Sequence, residues 1–89
     1  MPATTNKRSL SLLELSQGVV AHVECVDDRS PSDPIARRLR DLGFVKGEPV
    51  RIVAAGPFGR DPLLVQIGFT RFALRQAEAS RVMIHSVQD

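Results

Sequence analysis

The sequence predicts a mainly β domain: a small closed barrel of five short strands, with one short α-helix between the first two. Three observations carry this. Apolar and polar residues alternate over five short segments separated by turns rich in Gly and Pro. Only Asp33 to Gly43 combines helical periodicity with start and stop signals. The chain has 89 residues, enough for one domain with one modest core. A domain of this size buries about 60–65% of its unfolded surface. It has little material to cover exposed strand edges, and closure removes them.

The elements follow in order. Met1 to Ser9 reads as a flexible polar tail, and residues 10–89 as the single domain. Leu10, Leu12, Leu13 and Leu15, with Gly18 after them, suggest a short helical turn stopped by glycine. Val19 to Val26 is the first strand, with Val19, Ala21, Val23 and Cys25 on one face and His22 and Glu24 on the other. In the helix, Asp33 can cap the free N–H groups and Pro34 suits the first position. Ile35, Leu39 and Leu42 form one apolar stripe. Gly43 is the expected left-handed stop, and Phe44 can fold back onto the helix. A turn around Gly47 leads to a strand from Pro49 to Ala55. Gly56 to Pro62 is a loop, Leu63 to Ile67 the third strand, Gly68 to Arg71 a turn, and Phe72 to Leu74 the fourth strand. Arg75 to Ser80 is short enough for a single 3-10 turn, and Val82 to Val87 is the last strand.

Composition narrows the function classes. The net charge is +2, from 12 basic and 10 acidic residues, so a pI of about 9.3 implies no strong basic field. Aromatics make up 4% of the chain, with no Trp or Tyr, so Val, Ile, Leu and Ala must build the core. A single cysteine, Cys25, rules out an intrachain disulfide and fits a reducing cytoplasm. No stretch approaches the roughly 20 apolar residues of a membrane span. Glu14 and Gln17 interrupt the first apolar segment, which spoils it as a signal-peptide core.

Three blocks occur in order: Ala36-Arg-Arg-Leu-Arg-Asp-Leu-Gly-Phe-Val-Lys-Gly47, Gly56-Pro-Phe-Gly-Arg-Asp-Pro62 and Leu74-Arg-Gln-Ala-Glu-Ala79. They resemble the FeoA family of small cytosolic proteins of bacterial ferrous-iron uptake, over roughly Leu12 to Val87. The matching positions include Arg38, Leu39, Leu42, Gly43, Gly47, Pro62, Leu74, Arg75 and Glu78, mostly turn, cap and core residues. Lys46 stands where the family often has Pro, and Arg60 lengthens the turn before Asp61-Pro62. The resemblance implies an SH3-like barrel. It also implies a non-enzymatic cytosolic accessory protein that contacts an FeoB-like, GTPase-bearing membrane transporter from the cytosolic side and influences its nucleotide hydrolysis.

Several constellations are candidates for function. Arg37, Arg38 and Arg40 form either a docking patch for acidic groups or a solvated helix face with Arg37 and Asp41 paired. Among potential metal ligands, His22 and Glu24 share a strand face, Cys25 points to the other, and His85 must reach across. This falls short of the four ligands of a structural zinc site. Any Fe2+ or Zn2+ is expected to bind weakly or between copies of the chain, which leaves a metal sensor or a homodimer open. No phosphate loop, nucleophile elbow or activated thiol is present, so catalysis has no support. Arg75 and Glu78 have the spacing to pin a one-turn element. Nucleic-acid binding needs stacking aromatics, and the strands offer Phe69 and Phe72 at most. That binding is the alternative reading, tested by salt dependence. The expected contact surface for a protein partner comprises Leu12, Leu13 and Leu15, Arg37 and Arg38, and Phe58 at a loop tip. Phe58 folding over the barrel mouth fits the sequence equally well.

Overall fold

A computed structural model describes residues 10–57 and 59–85. The expected tail at 1–9, Phe58, and the end of the last strand beyond His85 lie outside the described residues. The elements are β1 (Leu10–Ser11), a 3-10 turn (Leu12–Glu14), β2 (Ala21–Val26), α1 (Pro34–Leu42), β3 (Pro49–Ala55), β4 (Leu63–Ile67), β5 (Thr70–Leu74), α2 (Gln76–Ala79) and β6 (Val82–His85). All strand pairs are antiparallel, and the sheet order is β1-β6-β2-β3-β4-β5.

The architecture is the expected small β domain with one main helix after its first long strand. It differs in three details. A sixth strand, β1, pairs Leu10 and Ser11 with Ile84 and Met83. Among the described residues hydrogen bonds do not close the sheet: β1 and β5 are its two ends. Instead α2 packs on β5 and on the N-terminal turn, while α1 packs on α2 and β2, so helices cover the core between those ends. Finally, the turn before the last strand is a short α-helix rather than a 3-10 turn. Its first turn is held by the Glu78 carboxylate, which accepts from the Arg75 N–H at 2.8 Å.

The helix α1 forms for the reasons its ends suggested. Asp33 Oδ1 accepts from the N–H groups of Ile35 and Ala36 at 3.0 and 3.3 Å. At the other end Gly43 has φ 115°, the left-handed region that favours glycine. The Gly43 N–H donates to Arg40 and the Phe44 N–H to Leu39, which is a Schellman stop. Phe44 then folds back and is fully buried.

The buried stripe of the helix is rotated from the expected one. Ala36 and Leu39 are buried, whereas Ile35 and Leu42 are half-buried. The methyl of Ala36 lets the helix lie close to the core, which turns Ile35 and Leu42 toward its margin.

The first strand holds another correction. It starts at Ala21, and Val19 and Val20 are exposed. The register of β2 against β6 shifts between Val23 and Cys25. This bulge re-aims the residues after it. Val26 is therefore buried and Cys25 exposed, the reverse of strict alternation. Leu12 (0% exposed) and Leu15 (5%) also enter the core, because the N-terminal turn packs against α2 and β6.

Candidate interaction surfaces

One end of the molecule uses its charges internally. The buried Asp33 carboxylate accepts from the Arg29 N–H at 2.8 Å and from Arg81 Nε at 2.7 Å, besides capping α1. The Arg29 N–H bond is the largest influence holding this carboxyl well below the usual carboxylate range, followed by Arg81. Arg81 also donates to the Ala77 carbonyl, and the Arg29 guanidinium to the Ser80 carbonyl and hydroxyl at 3.2 and 3.1 Å. One carboxylate thus ties the loop before α1, α1 itself and α2 together.

The arginine cluster separates into two kinds. Arg40 is fixed: its guanidinium contacts both Asp28 oxygens, at 2.7 and 3.2 Å, and the Val26 carbonyl at 2.8 Å. Arg37 and Arg38 are exposed, and among the described residues no ion pair joins Arg37 to Asp41. Arg75 pins α2 through its backbone N–H rather than its side chain, which lies 3.8 Å from Asp61.

The N-terminal turn and the 56–62 loop are brought together by Arg60, the residue that lengthens the turn before Asp61-Pro62. Arg60, with φ 63°, donates to the Leu13 and Leu15 carbonyls at 3.4 and 3.1 Å. Inside the loop the Gly56 N–H donates to the Pro62 carbonyl at 2.8 Å. A Cβ on Gly56 would lie 2.5 Å from the Asp61 carbonyl oxygen, so the two backbones approach this closely only with glycine. Of the three N-terminal leucines expected at a contact surface, only Leu13 is accessible, and then only partly.

The opposite end is apolar and open. Phe69 stands in the turn between β4 and β5 with its side chain fully exposed. It borders a hollow of about 460 Å³ lined by Val20, Pro49 and Val50, with Glu48, Arg51 and Gln66 at its rim. Val19 and Val20 are 44% and 51% exposed beside it. Exposed apolar residues gathered in one place mark interaction surfaces. The sequence signal was an aromatic inside a turn, where polar residues and glycine usually stand.

The metal candidates are closer together than the sequence implied. His22 and His85 sit directly opposite on β2 and β6, with ring centroids 6.3 Å apart. The bulge turns Cys25 outward as well. Partial burial and the nearby Asp27 and Glu24 carboxylates push its thiol up, away from the thiolate that metals bind. Among the described residues no group of three or more His, Cys, Asp or Glu could hold a metal ion. Among the described residues two facing imidazoles are fewer ligands than a zinc centre needs. Among the described residues the aromatics form no stacking platform for nucleic acid either: Phe72 packs on Phe44 with centroids 6.2 Å apart, leaving Phe69 by itself.

The fold defines a small, mainly β, SH3-like domain. Matches to solved structures agree. Stenotrophomonas maltophilia FeoA, a prokaryotic SH3-domain protein complexed with zinc, is 61% identical with a TM-score of 0.78, over 84% of this chain and 88% of that one. Iron(II) transport protein A of Clostridium thermocellum is 32% identical with a TM-score of 0.76, over 88% of this chain and 46% of that one. Chlorobium tepidum FeoA is 30% identical with a TM-score of 0.75, over 89% and 71%. The FeoA domain family model matches residues 10–86, and the chain belongs to the FeoA family, which is associated with ferrous iron transport. A manganese-dependent transcriptional repressor shares the fold at 18% identity and a TM-score of 0.78, with the match spanning 44% of its length. No curated protein gives a significant match. No helix among the described residues is long and apolar enough to cross a membrane.

Proposed function

We propose that this protein is a cytoplasmic, non-enzymatic accessory factor of ferrous-iron uptake. It docks on the cytosolic part of an FeoB-like, GTPase-bearing transporter and modulates nucleotide hydrolysis there through contact. The observation that carries this reading is the exposed Phe69 beside the apolar hollow under Val20, Pro49 and Val50. An aromatic with no core to enter is the kind of residue that dominates small interfaces. Leu13, Arg37 and Arg38 are the accessible residues of the surface expected from sequence, and they form its outlying contacts. A domain of this size offers a limited patch, so the contact buries near or below about 1,200 Å² and is transient.

The test is ferrous-iron uptake in cells lacking the native protein. The unaltered chain should restore uptake, and Phe69→Ala should restore it poorly while unfolding at the same urea concentration. Full uptake with Phe69→Ala, Leu13→Ala and the Arg37→Ala/Arg38→Ala double variant, all folded, contradicts the reading. So does uptake that never depends on the protein.

A further inference from the structure

The helix α1 and the strand β5 border a second groove, away from Phe69. It holds about 260 Å³ and is lined on one side by Ile35, Arg38, Leu39 and Leu42, and on the other by Arg71 to Leu74. Its apolar floor exists because α1 is rotated: Ile35, Leu42 and Phe72 pack against the core yet stay half-buried.

The strand side of the groove is an open sheet edge. β5 has one neighbour, β4. Ile67 pairs with Thr70 across the two-residue turn Gly68–Phe69, in which Gly68 has φ 60°. Such a turn makes Ile67 and Thr70 a hydrogen-bonded pair, and antiparallel pairs then alternate. Arg71 and Ala73 therefore fall at non-hydrogen-bonded positions, and their N–H and C=O groups point away from β4 into the groove. Both residues are exposed, and among the described residues no backbone bond outside the β4 ladder involves them.

The charges at the groove are unevenly spent. The Glu78 carboxylate accepts from the Arg75 N–H. Arg71 donates to the Gln66 side chain, a neutral partner. Among the described residues no carboxylate lies within ion-pair distance of Arg38 or Arg71. Among the described residues the groove thus combines a strand edge with no second neighbour, an apolar floor, and two exposed arginines against one carboxylate, Glu78, which is already engaged by the Arg75 N–H.

We propose that this groove is a docking site for an extended acidic segment of a partner protein, which adds to β5 as a further strand. The backbone of the segment pairs with Arg71 and Ala73, an apolar side chain enters between Ile35, Leu42 and Phe72, and carboxylates meet Arg38 and Arg71. Strand addition of this kind takes affinity from main-chain bonds and specificity from alternate side chains. A second copy of the chain is a poor occupant, because pairing β5 with β5 brings like-charged arginines together. This proposal does not rest on the transporter reading, and its groove shares only Arg38 with the surface named there.

The experiment is selection of random 12-residue peptides on the intact protein, followed by affinity measurement and amide hydrogen exchange. Enriched peptides should alternate apolar and acidic residues, weaken as salt rises, and slow exchange at the Arg71 and Ala73 amides. Arg38→Glu should weaken binding by roughly tenfold or more, as a reversed contact charge does. Ala73→Pro removes one groove-facing donor at an edge position that tolerates proline and should have a similar effect. If it unfolds the strand, Arg38→Glu and the exchange pattern still decide. Absence of enriched peptides, neutral or basic peptides, protection at Gly68 and Phe69 instead, binding indifferent to Arg38→Glu, or self-association through β5 would each overturn the proposal.

Discussion

The end of the molecule around Asp33 and the end around Phe69 are opposites. At the first, one buried carboxylate accepts from Arg29, Ile35, Ala36 and Arg81, and the Arg29 and Arg81 guanidinium groups are spent on partners within the chain. At the second, Phe69, Val19 and Val20 lie open around a hollow of about 460 Å³. Burying apolar area of this kind stabilises a fold by about 25 cal/mol per Å², and this chain leaves it unburied. The difference teaches where each requirement is met. The pinned end holds two helices against a small sheet, and the open end is the one proposed above for contact.

The comparison breaks most easily through its largest expected effect. Leu39→Ala truncates a buried helix residue and should cost roughly 2–4 kcal/mol, whereas Phe69→Ala should stay within about 0.5 kcal/mol of the parent. Urea unfolding of the two variants measures this directly. A costly Phe69→Ala would mean that the open end carries the fold after all.

Next in size is Gly56→Ala. Its Cβ would meet the Asp61 carbonyl oxygen at 2.5 Å, so the loop must shift. We expect a loss of about 1–3 kcal/mol, the range for overpacking, together with displacement of Arg60 from the Leu13 and Leu15 carbonyls. A neutral substitution would show that the 56–62 loop does not brace the N-terminal turn.

The pinned end should also be sensitive to acid. Asp33 is held below its ordinary pKa in the folded state, with the Arg29 N–H as the first cause. A carboxyl with a depressed folded pKa contributes stability above its unfolded pKa, near 3.8, and loses it as pH falls through and below that value. Unfolding midpoints should therefore drop below about pH 4, and Asp33→Asn should flatten that part of the profile while lowering stability at neutral pH. An unchanged acid limb in the variant would remove Asp33 as the pin.

The smallest effect concerns metal. His22 and His85 supply two imidazoles, fewer than a zinc centre needs. Calorimetry on the monomer should find weak zinc binding, reduced further by His22→Ala. A stoichiometric nanomolar site lost in either histidine variant would place a true metal centre on this outer face.

Much of the pinned end was legible in the sequence, because local rules set it. Asp33-Pro34 marked the start of α1, Gly43 its stop, and Phe44 the residue that folds back, each within one turn of a helix end. The pairing of Arg81 with Asp33 was not legible, since the two are 48 positions apart and only the fold brings them together. The bulge between Val23 and Cys25 escaped as well. Strict alternation placed Cys25 inside, and the bulge turned it outward. Ala36 was hidden by the apolar stripe beside it, because a small residue gives little periodic signal yet sets how closely a helix packs. The open end was the least legible part. Phe69 stands in the turn expected from Gly68 to Arg71 but was weighed only as a stacking aromatic, and elsewhere Leu12 and Leu15, expected at a contact surface, are core. Phe58 lies outside the described residues and gives no comparison.

The measurement that bears most directly on the contrast is an amide chemical-shift titration of the isotope-labelled protein with the cytosolic domain of the transporter. The largest changes should fall at Val19, Val20, Gly68 and Phe69, with Arg29, Asp33 and Arg81 undisturbed, and Phe69→Ala should abolish them. Changes centred on Asp33 and Arg81, or no changes at all, would contradict the division of the molecule into a pinned end and a contact end.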